Sequence, residues 1–473
     1  MERRKFLHTI GLGALSLSVP LSLECSGFYS RKPNIVFILV DDLGWKDAGY
    51  MGSSFYETPN IDRLSKSGIV FTNAYSSAPN CAPTRASLLT GINTPGHGVY
   101  TVGSPERGRS ENRKLIPTPN KTTLGKEFRI IPGYLKQEGY VTASIGKWHL
   151  GDDPDSGPLA HGFDMNIAGD RLGYPKSYFT PYKNENLPDG DDGEYLTDRL
   201  TTEAVKFIEE NKENPFFLYL SHYAVHTPIS AKKELTAKYG NKALKEGQNN
   251  SEYAAMIESV DESVGKVKQK LEELGLIDNT MIIFYSDNGG HGTITSNEPL
   301  RGSKGMLYEG GIRVPLAISW KGRIKANSIC ELPVISMDFL PTFLKMAGIK
   351  GDPGQKMDGQ SLMPLLTGDG VFNRNELYWH FPAYLEGYTG MKDIWRTTPA
   401  GAIRSGKWKL IEFFEDGRLE LYNLDNDIGE TENLAEKYPE ITIDLHNKLK
   451  SWRKKSGAPV PAEINPEYKP VRK

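Results

Sequence analysis

Four short apolar runs of this chain end in residues that bind metals or move protons. "NIVFILV" leads into Asp41 and Asp42, "VTASIG" into Lys147, Trp148 and His149, "PFFLYLS" into His222 and then His226, and "TMIIFYS" into Asp287 and Asn288. Asp41, Asp42, Asp287 and Asn288 offer oxygen ligands only, three of them anionic. Such a set suits Ca2+ or Mg2+ and argues against Zn2+, which prefers nitrogen and sulfur. Any one of these ends taken alone reads better as a turn or helix cap after a strand; four together make coincidence a weak account. A fifth stretch, "PNCAPTRASLLTG" (79–91), holds Cys81 with Pro83 and Arg85 close behind it. Pro83 suits the first turn of a helix and Gly91 its end. Cys81 then sits at a helix N-terminus, where unpaired N–H groups favour negative charge, and Arg85, one turn on, can reach an anion there. The plainer alternative is a buried thiol with Arg85 in a surface ion pair.

Elements must hold these residues together. The runs at 34–40, 141–146, 215–221, 280–286 and 314–320 read as buried parallel strands, because they are short and rich in β-branched and aromatic residues. Between them, "TPNIDRLSKSG", "EYLTDRLTTEAVKFIEENK" and "SEYAAMIESVDESVGKVKQKLEELG" keep helical spacing. Strand and helix in alternation predict a doubly wound α/β sheet, whose ligands bind beyond the carboxyl ends of its strands. Residues 150–195, rich in Gly, Pro, Asp and Tyr, read as ordered loops over the site. Composition shifts near 365–375, and the stretch from Gly401 alternates like antiparallel strands with a "DG" turn before a last helix, "ITIDLHNKLKSWRKKSG". The expectation is an export signal over 1–25, a catalytic domain over 31–370 and a C-terminal subdomain over 371–473 with a small antiparallel sheet and terminal helix.

Bulk composition narrows the ligand. The 473 residues carry 57 Lys and Arg against 59 Asp and Glu, a net charge of −2. There is no global charge for nucleic acid or an anionic membrane, so an anion must be bound by a local cluster. Arg3, Arg4 and Lys5 precede an apolar stretch too short for a comfortable membrane span, the pattern of an export leader; "RRKFL" resembles a twin-arginine signal. A periplasmic or secreted protein is expected, with Cys25 placed where a lipoprotein anchor would sit. Cys81 and Cys330 then remain, as a disulfide or as one reactive group and one buried, unreactive thiol.

C-x-P-x-R followed by "ASLLTG" resembles the signature of the type I sulfatases, members of the alkaline phosphatase superfamily. "PNIVFILVDDLGW", "GKWHLG", "HTP", "SDNGG" and "KGMLYEGGIRVPL" resemble the family's other elements, in family order, from residue 33 to about 320. The resemblance implies an alkaline-phosphatase-like fold: a large mixed, mostly parallel sheet sandwiched by helices, with a smaller C-terminal α+β subdomain. It implies Cys81 converted to formylglycine by a formylglycine-generating or radical sulfatase-maturating enzyme. It further implies Ca2+, more than Mg2+, held by Asp41, Asp42, Asp287, Asn288 and residue 81. Arg85, Lys147 and Lys304 would bind the sulfate, His226 or Lys304 would protonate the leaving oxygen, with His226 favoured by its titration range, and His149 would take the proton from the hydrate.

The implied substrate is a sulfated glycan, attacked in an exo manner, with galactose or N-acetylgalactosamine sulfate suggested by the texture of "FYETPN" and "SYFTPY". The runner-up is a phosphate or phosphonate diester hydrolase of the same superfamily. A decayed, non-catalytic glycan binder would have lost catalytic positions, and none is lost. Arg171, His291, His97 and His380 are candidate substrate contacts, with Tyr174, Ser177, Trp379 and Tyr384 as further sugar-contact candidates. Arg313 and Glu309 read as structural, and His222 as supporting or bland.

Overall fold

Five apolar runs do become strands of one sheet in the computed structural model, which describes residues 31–243, 247–350, 354–388, 391 and 394–470. The stretch expected to be an export signal, with Cys25, lies outside the described residues. The central sheet comprises β1 (Asn34–Val40), β2 (Ile69–Phe71), β3 (Val141–Gly146), β4 (Met165–Ile167), β5 (Phe216–Ser221), β6 (Thr280–Ser286), β7 (Leu316–Ser319) and β8 (Ser328–Cys330), in the order β4-β3-β5-β1-β6-β7-β2-β8. β4, β3, β5, β1 and β6 are mutually parallel. β7 departs from expectation. It runs antiparallel to β6, with Ile282 opposite Ser319, which makes the sheet mixed.

After Asn34, β1 is apolar because both its faces are covered. Val36, Ile38 and Val40 join one core with Leu200, Ala204 and Phe207 of α3 (Leu196–Glu210) and Val260, Val264 and Val267 of α4 (Ser251–Glu273); Ile61 and Leu64 of α1 (Pro59–Lys66) complete it. Ile35, Phe37 and Leu39 join the other core, with Leu88 and Leu89 of α2 (Cys81–Thr90) and Phe339 and Phe343 of α5 (Phe339–Met346). Phe37 meets Phe339 edge-on at 4.8 Å. Each such buried side chain contributes about 1.5–3 kcal/mol, so the two layers fix β1 and hence the placement of whatever follows Val40.

A second sheet follows, with β9 (Glu376–Phe381), β10 (Ala400–Ser405), β11 (Trp408–Phe413) and β12 (Leu419–Asn423) in antiparallel order. β9 was not anticipated; the others and the turn at Gly417 (φ 73°) were. One face packs Trp379, Ala402 and Ile411 against Tyr75, Leu307 and Ile312 of the main body. The other face packs Ile403, Leu410 and Leu421 against Leu445 and Leu449 of α6 (Pro439–Ser456). Among the described residues Cys81 and Cys330 are both free, so the two are not joined in a disulfide. Cys330, expected to be buried, is only half-buried, because it lies on edge strand β8.

Candidate active site

The carboxyl ends of β1, β3, β5 and β6 meet the N-terminus of α2. Asp42 adopts φ 62°, and this left-handed turn lets its N–H donate to Asp287 Oδ1 at 3.2 Å. Asn288 Nδ2 donates to Asp42 Oδ1 at 2.8 Å, tying the β1 and β6 ends together. Ligand atoms of Asp41, Cys81 and Asp287 all lie within 4.8 Å of one another, as do those of Asp41, Asp42 and His226. Behind them Asp47, missed in the sequence, braces the turn by accepting from Gly44 N (2.9 Å), Tyr253 Oη (2.7 Å) and Thr295 Oγ1 (2.9 Å).

Three cations neutralise the three carboxylates. Lys147 Nζ donates to Asp41 Oδ2 at 2.5 Å, and Lys304 Nζ lies 2.7 Å from Asp42 Oδ1 and 2.8 Å from Oδ2. Arg85, wholly buried, donates from Nε to Asp287 Oδ2 at 2.9 Å and from Nη1 to Lys147 O at 2.9 Å and Ser221 Oγ at 2.5 Å. Expected to reach the anion, Arg85 is instead a strut joining α2 to three strand ends. Burial and the neighbouring Asp287 push the Asp41 carboxyl well above the usual range, against Lys147. For Asp42 burial also acts upward, but Lys304, His226 and Lys147 outweigh it and hold the group ionised.

Two buried acceptors, Asp41 Oδ1 and Asn288 Oδ1, have no hydrogen-bond partner among the described residues. Orphaned buried oxygens beside ionised carboxylates are costly unless a cation satisfies them. The donor set therefore fits a hard divalent ion, which would turn a neutral cluster into a cationic one able to hold an anion.

Cys81 is 1% exposed, and burial pushes its thiol up, with Lys147 and Lys304 acting the other way. The Asn80 side chain does not cap α2; it donates to Thr101 Oγ1 at 3.0 Å and leaves the helix N-terminus without a side-chain cap. Cys81 lines a cavity of about 290 Å³ together with His149, His226, Lys304, Tyr174, Arg107 and Arg396. His149 has φ 65° and packs so close to Gly173 that a Cβ there would lie 2.4 Å from its ring; its buried Nδ1 has no partner. His226 Nδ1 contacts Thr227 O at 2.5 Å, and Nε2 stands 3.7 Å from Asp42 Oδ2. Burial lowers both histidines, Lys147 adding to the effect at His149 and Lys304 at His226.

The candidate substrate contacts divide. Tyr174 lines the cavity, whereas His291 is not among its lining residues; His291 packs at 4.4 Å on Tyr388 and is lowered to about 4 by burial. Arg171 does not line it: its side chain points into solvent, 3.5 Å from Asp152. Ser177 donates to Phe179 O instead. His97 and His380 are buried in the protein body, bonded to Ser87 Oγ (2.9 Å) and Pro459 O (2.8 Å), and cannot touch substrate. Trp379 donates to Ser76 O and Tyr384 to Glu415, so both pack the domain junction. His222 bonds Ser263 Oγ at 3.0 Å behind the site, and Arg313 pairs with Glu309 at 3.3 Å. Arg107 and Arg396 escaped the sequence reading, because neither "PERGRS" nor "DIWRTT" carries a pattern that marks a cavity wall.

A family model described as Sulfatase matches residues 33–349, and one described as N-sulphoglucosamine sulphohydrolase, C-terminal, matches residues 302–455. The chain is 35% identical to a protein called "Sulfatase" from Formosa agariphila, across 97% of this chain and 95% of that one. It is 32% identical to N-acetylgalactosamine-6-sulfatase from Homo sapiens, across 74% of this chain and 68% of that one. The solved structure of Ps i-CgsB in complex with k-i-k-neocarrahexaose superposes with a TM-score of 0.74 at 32% identity, covering 89% of this chain and 93% of the other.

Proposed function

The chain belongs to the sulfatase family, and from that premise we propose that it releases inorganic sulfate from a sulfated carbohydrate through attack by residue 81 on sulfur. The observation that carries this reading is the position of Cys81. It stands at the uncapped N-terminus of α2, in the wall of a cavity, within 4.8 Å of Asp41 and Asp287.

Oxidised by a maturation enzyme to formylglycine and hydrated, the side chain supplies one hydroxyl as nucleophile and a second whose deprotonation expels sulfate. Asp41, Asp42, Asp287 and Asn288 would hold a Ca2+ ion, which when bound would supply Lewis-acid polarisation to a sulfate. Lys304 and the α2 N–H groups bind the sulfate, and Arg85 keeps Asp287 and the Lys147 backbone in register for that task. In the free site burial and Lys304 hold His226 neutral. An anion against the ring favours its protonation, and the ring then donates to the leaving oxygen. His149, neutral and with Nδ1 unpartnered, accepts the proton from the second hydroxyl.

The small cavity supports exo action on a terminal sugar, and the name of one relative supports N-acetylgalactosamine sulfate, with galactose sulfate as its near analogue. The basic and apolar N-terminus supports export to the periplasm or beyond, with Cys25 as a lipidation point. The test is sulfate release from galactose and N-acetylgalactosamine monosulfates by enzyme co-expressed with a maturation enzyme, assayed beside phosphate diesters. Sulfate release should dominate; diester hydrolysis far outpacing it would overturn the reading.

A further inference from the structure

We propose that Arg107 and Arg396 form a subsite for a second anionic group on the substrate, a sulfate or a carboxylate within one sugar of the sulfate that is cleaved. The inference rests on the sulfatase reading and extends it from the reacting group to the rest of the substrate.

Both guanidinium groups line the cavity that holds Cys81, and among the described residues none that lines it is a carboxylate. The Lys304 ammonium is matched by Asp42. The two arginines are not matched: among the described residues neither has an ion pair. Arg107 donates from Nη2 to Val102 O at 2.6 Å. Arg396 donates to neutral oxygens, those of Glu386 O (3.3 Å), Lys304 O (3.1 Å) and Tyr388 Oη (3.0 Å), and lies 4.0 Å over the Tyr388 ring. Space for it beside Lys304 exists because residue 305 is glycine at φ 92°, where a Cβ would come within 3.2 Å of Arg396 Nη1 and 2.7 Å of Leu385.

Burial lowers Arg107, and Arg396 adds to the effect, against the opposite pull of Cys81 and Glu386. Two half-buried cations that repel each other across a cavity are short of negative charge, and a bound anion relieves both costs. The reacting sulfate would already be served by Lys304 and the α2 N-terminus beside Cys81. The guanidinium pair therefore needs a separate oxyanion, and the planar fork of arginine suits a sulfate or carboxylate.

Calorimetry on full-length protein carrying Cys81→Ala reads binding without turnover. The probes are a galactose monosulfate, a galactose disulfate and a monosulfated galactose joined to glucuronate. The second anion should tighten binding about tenfold, a charge-assisted contact's worth. Arg107→Gln and Arg396→Gln should each remove most of that gain, so that the ratio of disulfate to monosulfate affinity falls toward one; Arg107→Lys should restore part of it. The disulfate and glucuronate arms tell which oxyanion the pair takes. Equal affinity for all three probes, or Gln variants that weaken monosulfate and disulfate alike, would overturn the subsite. Matured enzyme that binds the disulfate more tightly through these arginines yet releases no sulfate would defeat the functional reading and leave the subsite standing.

Discussion

Arg85→Ala tests the strut at the centre of the site. The wild-type guanidinium makes contacts of 2.9 Å and 2.8 Å to Asp287 Oδ2, and it bonds Lys147 O and Ser221 Oγ, all at zero exposure of Arg85 and Asp287. Truncation leaves the Asp287 carboxylate buried beside Asp41 with its counter-charge gone. Removing one partner of a buried pair costs about 3–5 kcal/mol, because the remaining charge is uncompensated. Against a typical stability of about 5–15 kcal/mol that is a large fraction. Arg85→Lys keeps the charge and loses the fork, and a smaller loss of about 1–3 kcal/mol is expected. Urea unfolding followed by tryptophan fluorescence reads both. A loss below about 1 kcal/mol for Arg85→Ala, the scale of a solvent-exposed pair, would refute the reasoning.

Other outcomes follow from the same geometry. Ca2+ should raise the melting temperature of the wild type, by the equivalent of about 2.7 kcal/mol at a hundredfold excess over Kd, and Asp41→Asn should abolish the rise; an equal rise in that variant would count against the cation site. His149→Ala should give one burst of product followed by slow turnover, seen in stopped-flow, whereas an undiminished steady state would remove His149 from the expulsion step. His222 is pushed down to about 3 by burial. Its folded form binds a proton later than the unfolded chain does near 6.5, so its contribution is complete above about pH 6.5 and lost as pH falls toward about 3. Urea midpoints of His222→Gln should accordingly fall less steeply than wild type over that window.

Much of this site was legible because its parts sit at fixed places in the chain pattern. β1 is buried on two faces, so "NIVFILV" could be only a central strand, and Asp41 and Asp42 had to stand at its carboxyl end. Pro83 and Gly91 bracketed α2 for equally local reasons. The direction of β7 was not legible, since an apolar run looks the same either way round and only the chain's return path decides. His97 and His380 misled because a histidine among glycine, proline and aromatic residues reads alike in a cavity and in a core; their partners, Ser87 and the Pro459 carbonyl, settle it. Arg107 and Arg396 are brought together by tertiary packing across almost three hundred residues, for which no local spacing exists. The role of Arg85 was half legible: its reach toward the helix N-terminus was visible, but not that Asp287 would claim it.

The central claim is that residue 81 strikes sulfur, and mass spectrometry of the peptide spanning it tests this most directly. Cys81→Ser protein incubated with a galactose monosulfate should yield that peptide heavier by one SO3 at position 81, with turnover halted after a single event. An unchanged peptide, with sulfate released over many cycles, would contradict the account.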